Sequence, residues 1–294
     1  MMNKYSLGLL GATVSWGLAF SLVKIGIEHT GLWSFLAVRF GIAALIIAVF
    51  FRTRAWDVDL TRFSRAALLG SLLYGHLLLQ TLGLELMTAS RSAFITATYV
   101  PMTPLLAWAL SGMRPSKKQW GLVALAFLGL SLLSLPTDPS SLKLWVAQAN
   151  RGDILTLCSA LVGAFHIVLV GRIAQQEKNA IALTFWQFIV VAVLFGMTGK
   201  AMLAAGSSSL QAGFDFWNWP QAASVSMLLV ALIASFSFVL QIVCQRHVAA
   251  VRAAIIYGLK APFALLFGVA IMGDVMGRNE IIGAFLIFLA SVIP

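Results

Sequence analysis

The sequence predicts an all-α integral membrane protein in which ten transmembrane helices form two inverted five-helix repeats, with both termini in the cytoplasm. Composition is the first observation behind this prediction: 60% of the residues are apolar and only 10% are charged, whereas a soluble domain carries about 25% charged residues. The second is a series of ten apolar segments, each long enough to cross about 30 Å of hydrocarbon. The third is a repeated helix pattern that relates the two halves of the chain.

The ten predicted spans follow one another with short connections. They are 4–27, 32–51, 64–83, 89–110, 117–135, 152–172, 179–199, 220–243, 250–272 and 279–294. Spans 3 and 4 nearly merge through Leu84 to Ser92, so nine spans are an alternative prediction. The chain divides into a first repeat at 1–135, a periplasmic connection at 136–151 and a second repeat at 152–294.

Spans 4 and 9 contain two copies of one helix pattern. Residues 88–104 read TASRSAFITATYVPMTP and residues 249–265 read AAVRAAIIYGLKAPFAL, with five identities at a spacing of 161 positions. Each copy has a stripe of small residues that ends in a proline: Ala89, Ala93, Ala97, Pro101 and Ala250, Ala254, Gly258, Pro262. Small residues let another backbone come close, and an interior proline bends a helix. We therefore predict that both helices are moving gates, with Pro101, Pro262, Ala93 and Ala254 as gating residues.

Weaker matches extend the repeat to other spans. They are Trp16-Gly17 with Val162-Gly163, Arg39 with Gln187, and Gln80 with Gln241. Spans 1–5 thus correspond to spans 6–10. An odd number of helices per repeat forces the second copy to insert upside down, which is the arrangement of inverted-repeat transporters.

The distribution of basic residues predicts the orientation. With the N-terminus inside, the cytoplasmic segments hold twelve lysines and arginines and the outer segments hold five, in agreement with the positive-inside rule. Segments 136–151 and 200–219 then face outward. The net charge of +10 is scattered among loops rather than gathered on one soluble face, so we predict no nucleic-acid partner.

Motifs for several kinds of chemistry are missing from the sequence. It has no G-x-x-x-x-G-K-[ST], G-x-S-x-G or H-E-x-x-H, the minimum parts of nucleotide hydrolysis, serine-hydrolase and zinc-protease sites. Cys158 and Cys244 have no metal-binding spacing around them, and we interpret both as small buried apolar groups. We therefore predict that the protein is not an enzyme and has no cofactor and no metal site.

Several motifs together resemble the drug/metabolite transporter superfamily, in its two-repeat EamA branch. They are Trp16-Gly17 followed by Phe20 and Lys24, Arg39 in span 2, the starts of spans 4 and 9, and Asp274 before Gly283 in span 10. The chain is most similar to the bacterial aromatic-amino-acid exporters of that branch. The resemblance implies a multi-pass protein of the bacterial inner (plasma) membrane, with a central cavity lined by helices 1, 3, 4, 6, 8 and 9. One departure is that Gly112-Met113 replaces the glutamate that the family often has before helix 5.

Lys260 is the strongest candidate for a residue that lines this cavity. It lies about ten residues, or roughly 15 Å, from either end of span 9, while its side chain reaches only about 6 Å. A lysine at that depth needs water, a partner or a substrate group. The alternative is a structural bond to carbonyl groups at a helix end.

Other polar and aromatic residues within the spans are weaker candidates for the same cavity. These are Tyr257, Tyr99, His76, Gln80, His166 and Trp16. Each could equally satisfy a local packing or hydrogen-bonding requirement. Arg39 lies about seven residues from the outer end of span 2, so we expect it to be a structural anchor whose side chain extends partway toward the interface.

We expect a secondary transporter that exports amino acids, aromatic and other neutral ones, and related small metabolites or aromatic compounds by alternating access. None of the ten acids is placed at mid-membrane, where a proton carrier is needed, so we predict facilitated export. The alternatives are a proton-coupled multidrug or metabolite exporter that uses His76, His166 or Lys260, and a channel. The predicted partners are the small-molecule substrate and the lipid bilayer, with no obligate protein partner.

Overall fold

The computed structural model describes residues 3–84, 86, 89–112, 114–135, 139–204, 219–273 and 276–293. These residues form fourteen helices. The helices are α1 Lys4–Thr30, α2 Leu32–Phe50, α3 Arg52–Ala55, α4 Leu60–Leu84, α5 Ala89–Ala97, α6 Tyr99–Ser111, α7 Lys117–Ser134, α8 Pro139–Ala147, α9 Arg151–Gln176, α10 Ala180–Ala204, α11 Gln221–Gln245, α12 Ala250–Gly258, α13 Lys260–Met272 and α14 Arg278–Val292. Spans 4 and 9 are each built from two helices, α5 with α6 and α12 with α13.

Eight of the predicted spans are confirmed as helical segments long and apolar enough to cross a membrane. Helices α7 and α14 lie at the other two predicted positions. The 15 residues of α14 extend about 22 Å, less than the hydrocarbon thickness, and α7 begins with two lysines. Their crossing of the bilayer therefore remains a prediction.

Apolar side chains cover the outside of the bundle, as a lipid solvent requires. Leu45 is 61% exposed and Phe50 is 67% exposed, although both lie in a long apolar helix. Backbone groups are bonded within the helices, because hydrocarbon offers no partners for them. At helix starts, where N–H groups lack intrahelical partners, Asn3, Ser116 and Asn150 accept hydrogen bonds as N-caps.

The repeat predicted for spans 4 and 9 is present in the backbone. Helices α5 and α12 have nine residues each, α6 and α13 have 13 each, and all four boundaries keep the spacing of 161 positions. The same spacing relates Gly112 and Gly273, which end α6 and α13 with φ angles of 71° and 75°. A left-handed residue without a Cβ is the common way to end a helix. The two halves of the chain thus build the same broken helix.

Both ends of the described chain lie at one end of the bundle. Arg252 contacts Ser6 Oγ through Nε at 3.4 Å and donates from Nη1 to the Ile293 carbonyl at 3.1 Å. We call this end the terminal face and the opposite end the distal face. An even number of crossings would bring the termini together in this way.

An ionic network joins several helices at the terminal face. Arg62 Nε at the start of α4 donates to Glu177 Oε1 at the end of α9, at 3.0 Å, and Arg65 Nη1 lies 3.7 Å from Glu177 Oε2. Arg246, after α11, donates to the carbonyls of Ala174 and Glu177. The Glu177 side chain is only 4% exposed. Helices α4, α9 and α11 are therefore tied together at this end.

Arg91, the repeat mate of Arg252, ties helices together at the distal face. It makes two hydrogen bonds with Asp153, at 2.5 and 2.8 Å, in the fork-to-carboxylate geometry that arginine favours. Its guanidinium also lies 3.9 Å from the ring centroid of Trp145. Trp145 belongs to α8, a helix within the segment that the sequence suggested only as a connection.

Two sequence expectations about side-chain burial need correction. Cys158 is exposed on α9, whereas Cys244 is buried as expected. Arg39 does not extend toward the interface: it is only 9% exposed, and its guanidinium lies 5.1 Å from the ring of Phe40. Both errors have one cause, since the lipid-facing and protein-facing sides of these helices are equally apolar in sequence.

Candidate substrate site at the two helix breaks

The breaks in spans 4 and 9 fall at Thr98 and Leu259, three residues before Pro101 and Pro262. Each proline lacks the N–H that would bond the carbonyl four residues earlier. The N–H groups of Thr98 and Leu259 instead bond the carbonyls of Ile95 and Ile256, both at 3.1 Å, in a tighter turn. Both helices are thus interrupted one turn before the prolines.

The first residues after the two breaks meet inside the bundle. These residues, Tyr99 and Lys260, are repeat mates, and the Lys260 Nζ lies 5.8 Å from the centroid of the Tyr99 ring. An ammonium within about 6 Å of an aromatic face is attracted by the ring quadrupole. Tyr99 is buried and Lys260 partly buried. Two breaks related by the repeat therefore bring a phenol and an amine to one place.

His76 on α4 lies within electrostatic reach of Lys260 and is held firmly by α9. Its Nδ1 lies 2.9 Å from both the carbonyl oxygen and the Oγ of Ser159. The Ser159 hydroxyl donates its only hydrogen to the His76 carbonyl at 2.8 Å, so Nδ1 must be the donor to Ser159. Gly163 makes this contact close, because a Cβ there would lie 2.9 Å from Nδ1. Nε2 of His76 is then the acceptor nitrogen.

His166 on α9 interacts electrostatically with His76 and extends the cluster toward α10. Its Nε2 lies 3.4 Å from Gln187 Nε2. Both side chains are buried, and Gln187 Oε1 has no hydrogen-bond partner among the described residues. Gln187 is the repeat mate of Arg39, whose Nε is also without a partner in the described part of the chain.

Gln80 forms a hydrogen bond within the protein, which favours a structural role for its amide nitrogen over a role in binding cargo. Its Nε2 donates to Thr96 Oγ1 on α5 at 3.1 Å. The bond crosses from α4 to the first half of the broken span 4. Gln80 thus lies one turn from His76 and uses one of its two amide hydrogens to join α4 to α5.

Trp16 and Tyr257 form an aromatic wall between α1 and α12. Their ring centroids are 5.2 Å apart with an edge contact, and Phe238 of α11 lies 5.3 Å from Trp16. Next to this wall α1 crosses α13 closely, since a Cβ on Gly17 would lie 2.5 Å from the Cβ of Phe263. The Trp16 indole N–H and the Tyr257 hydroxyl are buried without a partner among the described residues.

The predicted gating residues differ in how far the structure describes them. Ala254 is fully buried on α12, and its stripe continues to Gly258, where a Cβ would meet Val100 of α6 at 3.7 Å. Pro262 is buried and Pro101 partly buried. The side chains of Ala93, Phe20 and Lys24, and the whole of Asp274, lie outside the described residues.

The acidic side chains that the structure describes lie in loops or at helix ends. They are Asp57, Asp59, Asp153, Glu177 and Glu280. At the terminal face, a hydrogen bond from Asn179, supported by Arg62, lowers the pKa of Asp57 below its usual value. Within the described residues, the breaks are thus surrounded by an amine, two imidazoles, phenols and amides.

Sequence reasoning missed two residues of this region, Ser159 and Gln245. A serine in a membrane helix usually donates to a carbonyl of the same helix. No feature of the sequence therefore indicates that Ser159 contacts His76. Gln245 lies just beyond the predicted end of span 8, where a polar residue is expected to face water. The structure buries it, so its side chain needs a partner. Its bond to the Ile167 carbonyl, at 3.1 Å, provides one.

Comparison with known proteins assigns the chain to a family. The profile of the EamA-like transporter family matches twice, at residues 3–135 and 150–293. An uncharacterized transporter from Archaeoglobus fulgidus is 30% identical over 289 residues, 98% of this chain and 84% of its own length. One solved crystal structure is similar in fold, with a TM-score of 0.75 and 14% identity over 99% of this chain and 97% of that one. The protein therefore belongs to the EamA-like transporter family and is a two-repeat, multi-pass membrane transporter.

Proposed function

We propose that this transporter exports amino acids, aromatic and other neutral ones, and related small metabolites through a site at the two helix breaks. The observation that carries the proposal is the position of Lys260. Its ammonium lies at the break in span 9, over the ring of Tyr99 and near His76. A buried cation of this kind favours a carboxylate, which every amino acid carries.

The neighbouring rings support an aromatic or apolar cargo side chain. The centroid of Trp16 lies 5.2 Å from that of Tyr257, in an edge contact, and 5.3 Å from that of Phe238, in a tilted one. Such offset aromatic contacts favour a further ring in the same wall. The similarity to aromatic-amino-acid exporters noted in the sequence agrees with this choice.

We propose that transport is facilitative and runs down the gradient of the metabolite. A proton carrier needs an ionisable acid that is neutralised inside the membrane, and the acids with described side chains lie in loops or at helix ends. A second candidate is proton coupling through the neighbouring histidines His76 and His166. Export that is accelerated by an imposed pH gradient, with no potential across the membrane, would favour this second candidate.

Counterflow in proteoliposomes tests the proposed function directly. Vesicles loaded with unlabelled phenylalanine are diluted into labelled phenylalanine, and the label is followed over a range of outside concentrations. A carrier accumulates label transiently and its exchange rate saturates. Flux that rises linearly with concentration would identify a channel instead, and no flux with any of the twenty amino acids would refute amino-acid export.

A further inference from the structure

A buried arginine in α2 has no counter-ion within the described part of the chain. Arg39 is 9% exposed, and its Nε has no hydrogen-bond partner there. The ion pairs among the described residues involve Arg62, Arg65 and Arg91 but not Arg39. A guanidinium has five N–H donors and stays protonated in proteins. Arg39 therefore cannot escape its lack of a partner by losing its charge.

The neighbours of Arg39 on α2 show which helices it faces. Arg39 is the eighth of the 19 residues of α2, about 10 Å from the start of that helix. Phe35 and Ala43 lie one turn before it and one turn after it on the same helix face. Phe35 packs so closely on α1 that a Cβ on Gly26 would clash with its ring. The Ala43 carbonyl accepts a hydrogen bond from Ser235 of α11 at 3.0 Å. Arg39 thus lies where α1, α2 and α11 meet.

The surroundings of Arg39 offer it an aromatic ring but no acceptor atom. Its guanidinium lies 5.1 Å from the centroid of the Phe40 ring, and a ring face attracts a cation without accepting the hydrogen bonds of all its N–H groups. The Phe40 centroid lies 5.2 Å from that of Phe188 on α10 and 6.5 Å from that of Phe238 on α11. All three rings are buried. A charge beside such a wall attracts an opposite charge more strongly than it would in water.

The second repeat places a neutral side chain at the matching position. Gln187, the repeat mate of Arg39, is 1% exposed, and its Nε2 lies 3.4 Å from Nε2 of His166. The second copy of this helix is therefore built without a charge here. A charged residue inside a membrane span is costly and usually serves a function, so the charge that only the first repeat carries needs an explanation beyond the architecture.

We infer that Arg39 binds a monovalent anion inside the bundle. A halide ion and the carboxylate of a cargo both supply the charge that is missing there, and the fork of N–H groups also matches the two oxygens of a carboxylate. Arg39 belongs to a different helix from Lys260. The inference therefore holds whether or not the cargo is an amino acid.

The test follows the thermal unfolding of the purified transporter in detergent while the anion is changed. The starting buffer contains only the bulky sulfonate of HEPES as an anion, and sodium chloride or sodium 3-phenylpropanoate is added to it. A ligand present at ten times its Kd raises the Tm of a protein by about 3 to 6 °C. The wild type should show a saturable rise of this size with at least one of the two salts.

Three substitutions show whether the rise comes from Arg39. Arg39→Gln should abolish it, and this variant should unfold in the starting buffer at the wild-type temperature or above, because an unpaired buried charge has been removed. Arg39→Lys keeps the charge but not the fork, so it should keep any response to chloride and bind 3-phenylpropanoate several-fold more weakly. Arg52→Gln makes the same change at an exposed position and should respond like the wild type.

Lys260→Met separates this site from the proposed cargo site. A response that persists in Lys260→Met and disappears in Arg39→Gln belongs to Arg39, whereas the opposite pattern belongs to Lys260 and would overturn the inference. Within the Arg39 response, a rise with chloride alone identifies a free halide ion, and a rise with 3-phenylpropanoate alone identifies a carboxylate.

Two further results would also overturn anion binding at Arg39 and leave the proposed transport untouched. One is a wild-type Tm that neither salt changes. The other is an Arg39→Gln protein that fails to fold, or that unfolds below the wild type in the starting buffer, since this would show that the arginine is structural.

Discussion

A lysine and a tyrosine occupy equivalent positions in the two repeats, and their contact gives the site its asymmetry. Tyr99 and Lys260 each follow a helix break on identical backbone segments. The repeat therefore supplies the scaffold twice but the cation only once. We expect an ammonium in the middle of a membrane span to attract the carboxylate of a cargo. At the residue scale, the Lys260 side chain alone thus gives the proposed site its positive charge.

Replacing Lys260 with methionine tests this residue. Lys260→Met keeps the length of the side chain and removes the charge, so cargos with a carboxylate should bind about 10- to 100-fold more weakly, while cationic aromatic compounds without one should be affected little. Uptake and binding of both classes in proteoliposomes measure the contrast. Lys118→Met, on an exposed turn of α7, is the control. Equal loss of both classes with falling expression would indicate a structural lysine.

The broken helices are the elements that we expect to move. A proline frees one carbonyl and removes one hydrogen bond, so the joint at Leu259 between α12 and α13 bends at lower cost than a continuous helix. On α12 the small-residue stripe packs against several other helices, and Ala254 is fully buried in it. A wide side chain in this stripe would hold α12 away from its neighbours in at least one of the two states.

Replacing Ala254 with leucine tests the movement. Overpacking of a buried position costs about 1–3 kcal/mol, so we expect Ala254→Leu to abolish counterflow while the protein remains folded and inserted. Ala270→Leu makes the same change at an exposed position of α13 and should keep normal flux. Gel-filtration profiles in detergent check folding of both variants. Near-normal flux from Ala254→Leu would count against gating by this helix.

At the scale of the whole molecule, different contacts join the helices at the two faces. The terminal face has the network around Glu177, and the distal face has the Arg91–Asp153 pair. In the alternating-access mechanism that we expect, these contacts form in one state and break in the other. Because Glu177 is nearly fully buried, removing its charge takes away the acid that links Arg62 and Arg65, which is more costly than losing a surface ion pair. Arg62 then keeps only its pair with Asp57, and Arg65 keeps only its bond to Gln176.

Glu177→Gln should therefore open the terminal face. Cys244 is a native reporter, since it is buried near the end of α11 with its Sγ close to Gly8. In a background where Cys158 is replaced by alanine, a maleimide reagent should label Cys244 several-fold faster in Glu177→Gln than in the parent. Glu280→Gln, at the distal end of α14, should not change the rate. Equal labelling rates in all three proteins would show that the network does not hold this face closed.

The orientation of the molecule is a separate prediction. The excess of basic residues places the terminal face in the cytoplasm, so a cysteine at Ser140 should react with an impermeant reagent in intact cells. A cysteine at Thr53, exposed at the other face, should react only after the cells are opened. Both are made in a chain without Cys158 and Cys244. The reverse pattern would invert the topology.

The sequence by itself determined eight helical segments long enough to cross a membrane, and the repeated helix pattern of spans 4 and 9 with its interruption near a proline. An apolar run favours a membrane helix through its own transfer free energy, and a proline interrupts a helix by removing a backbone hydrogen bond. Neither effect, nor the spacing of small residues, depends on contacts with other parts of the chain, so these features can be predicted from the sequence. The position of Lys260 near the middle of span 9 was also predictable, because depth along a helix follows from residue number.

Only the tertiary structure decided which polar groups share a site. In lipid both sides of a helix are apolar, so no hydrophobic pattern tells which face meets protein, and Cys158 and Arg39 were misjudged for that reason. The hold of Ser159 on His76 and the bond from Gln245 to the Ile167 carbonyl depend on how α4, α9 and α11 are rotated about their axes. That rotation is set by close packing between helices, which couples residues far apart in the chain.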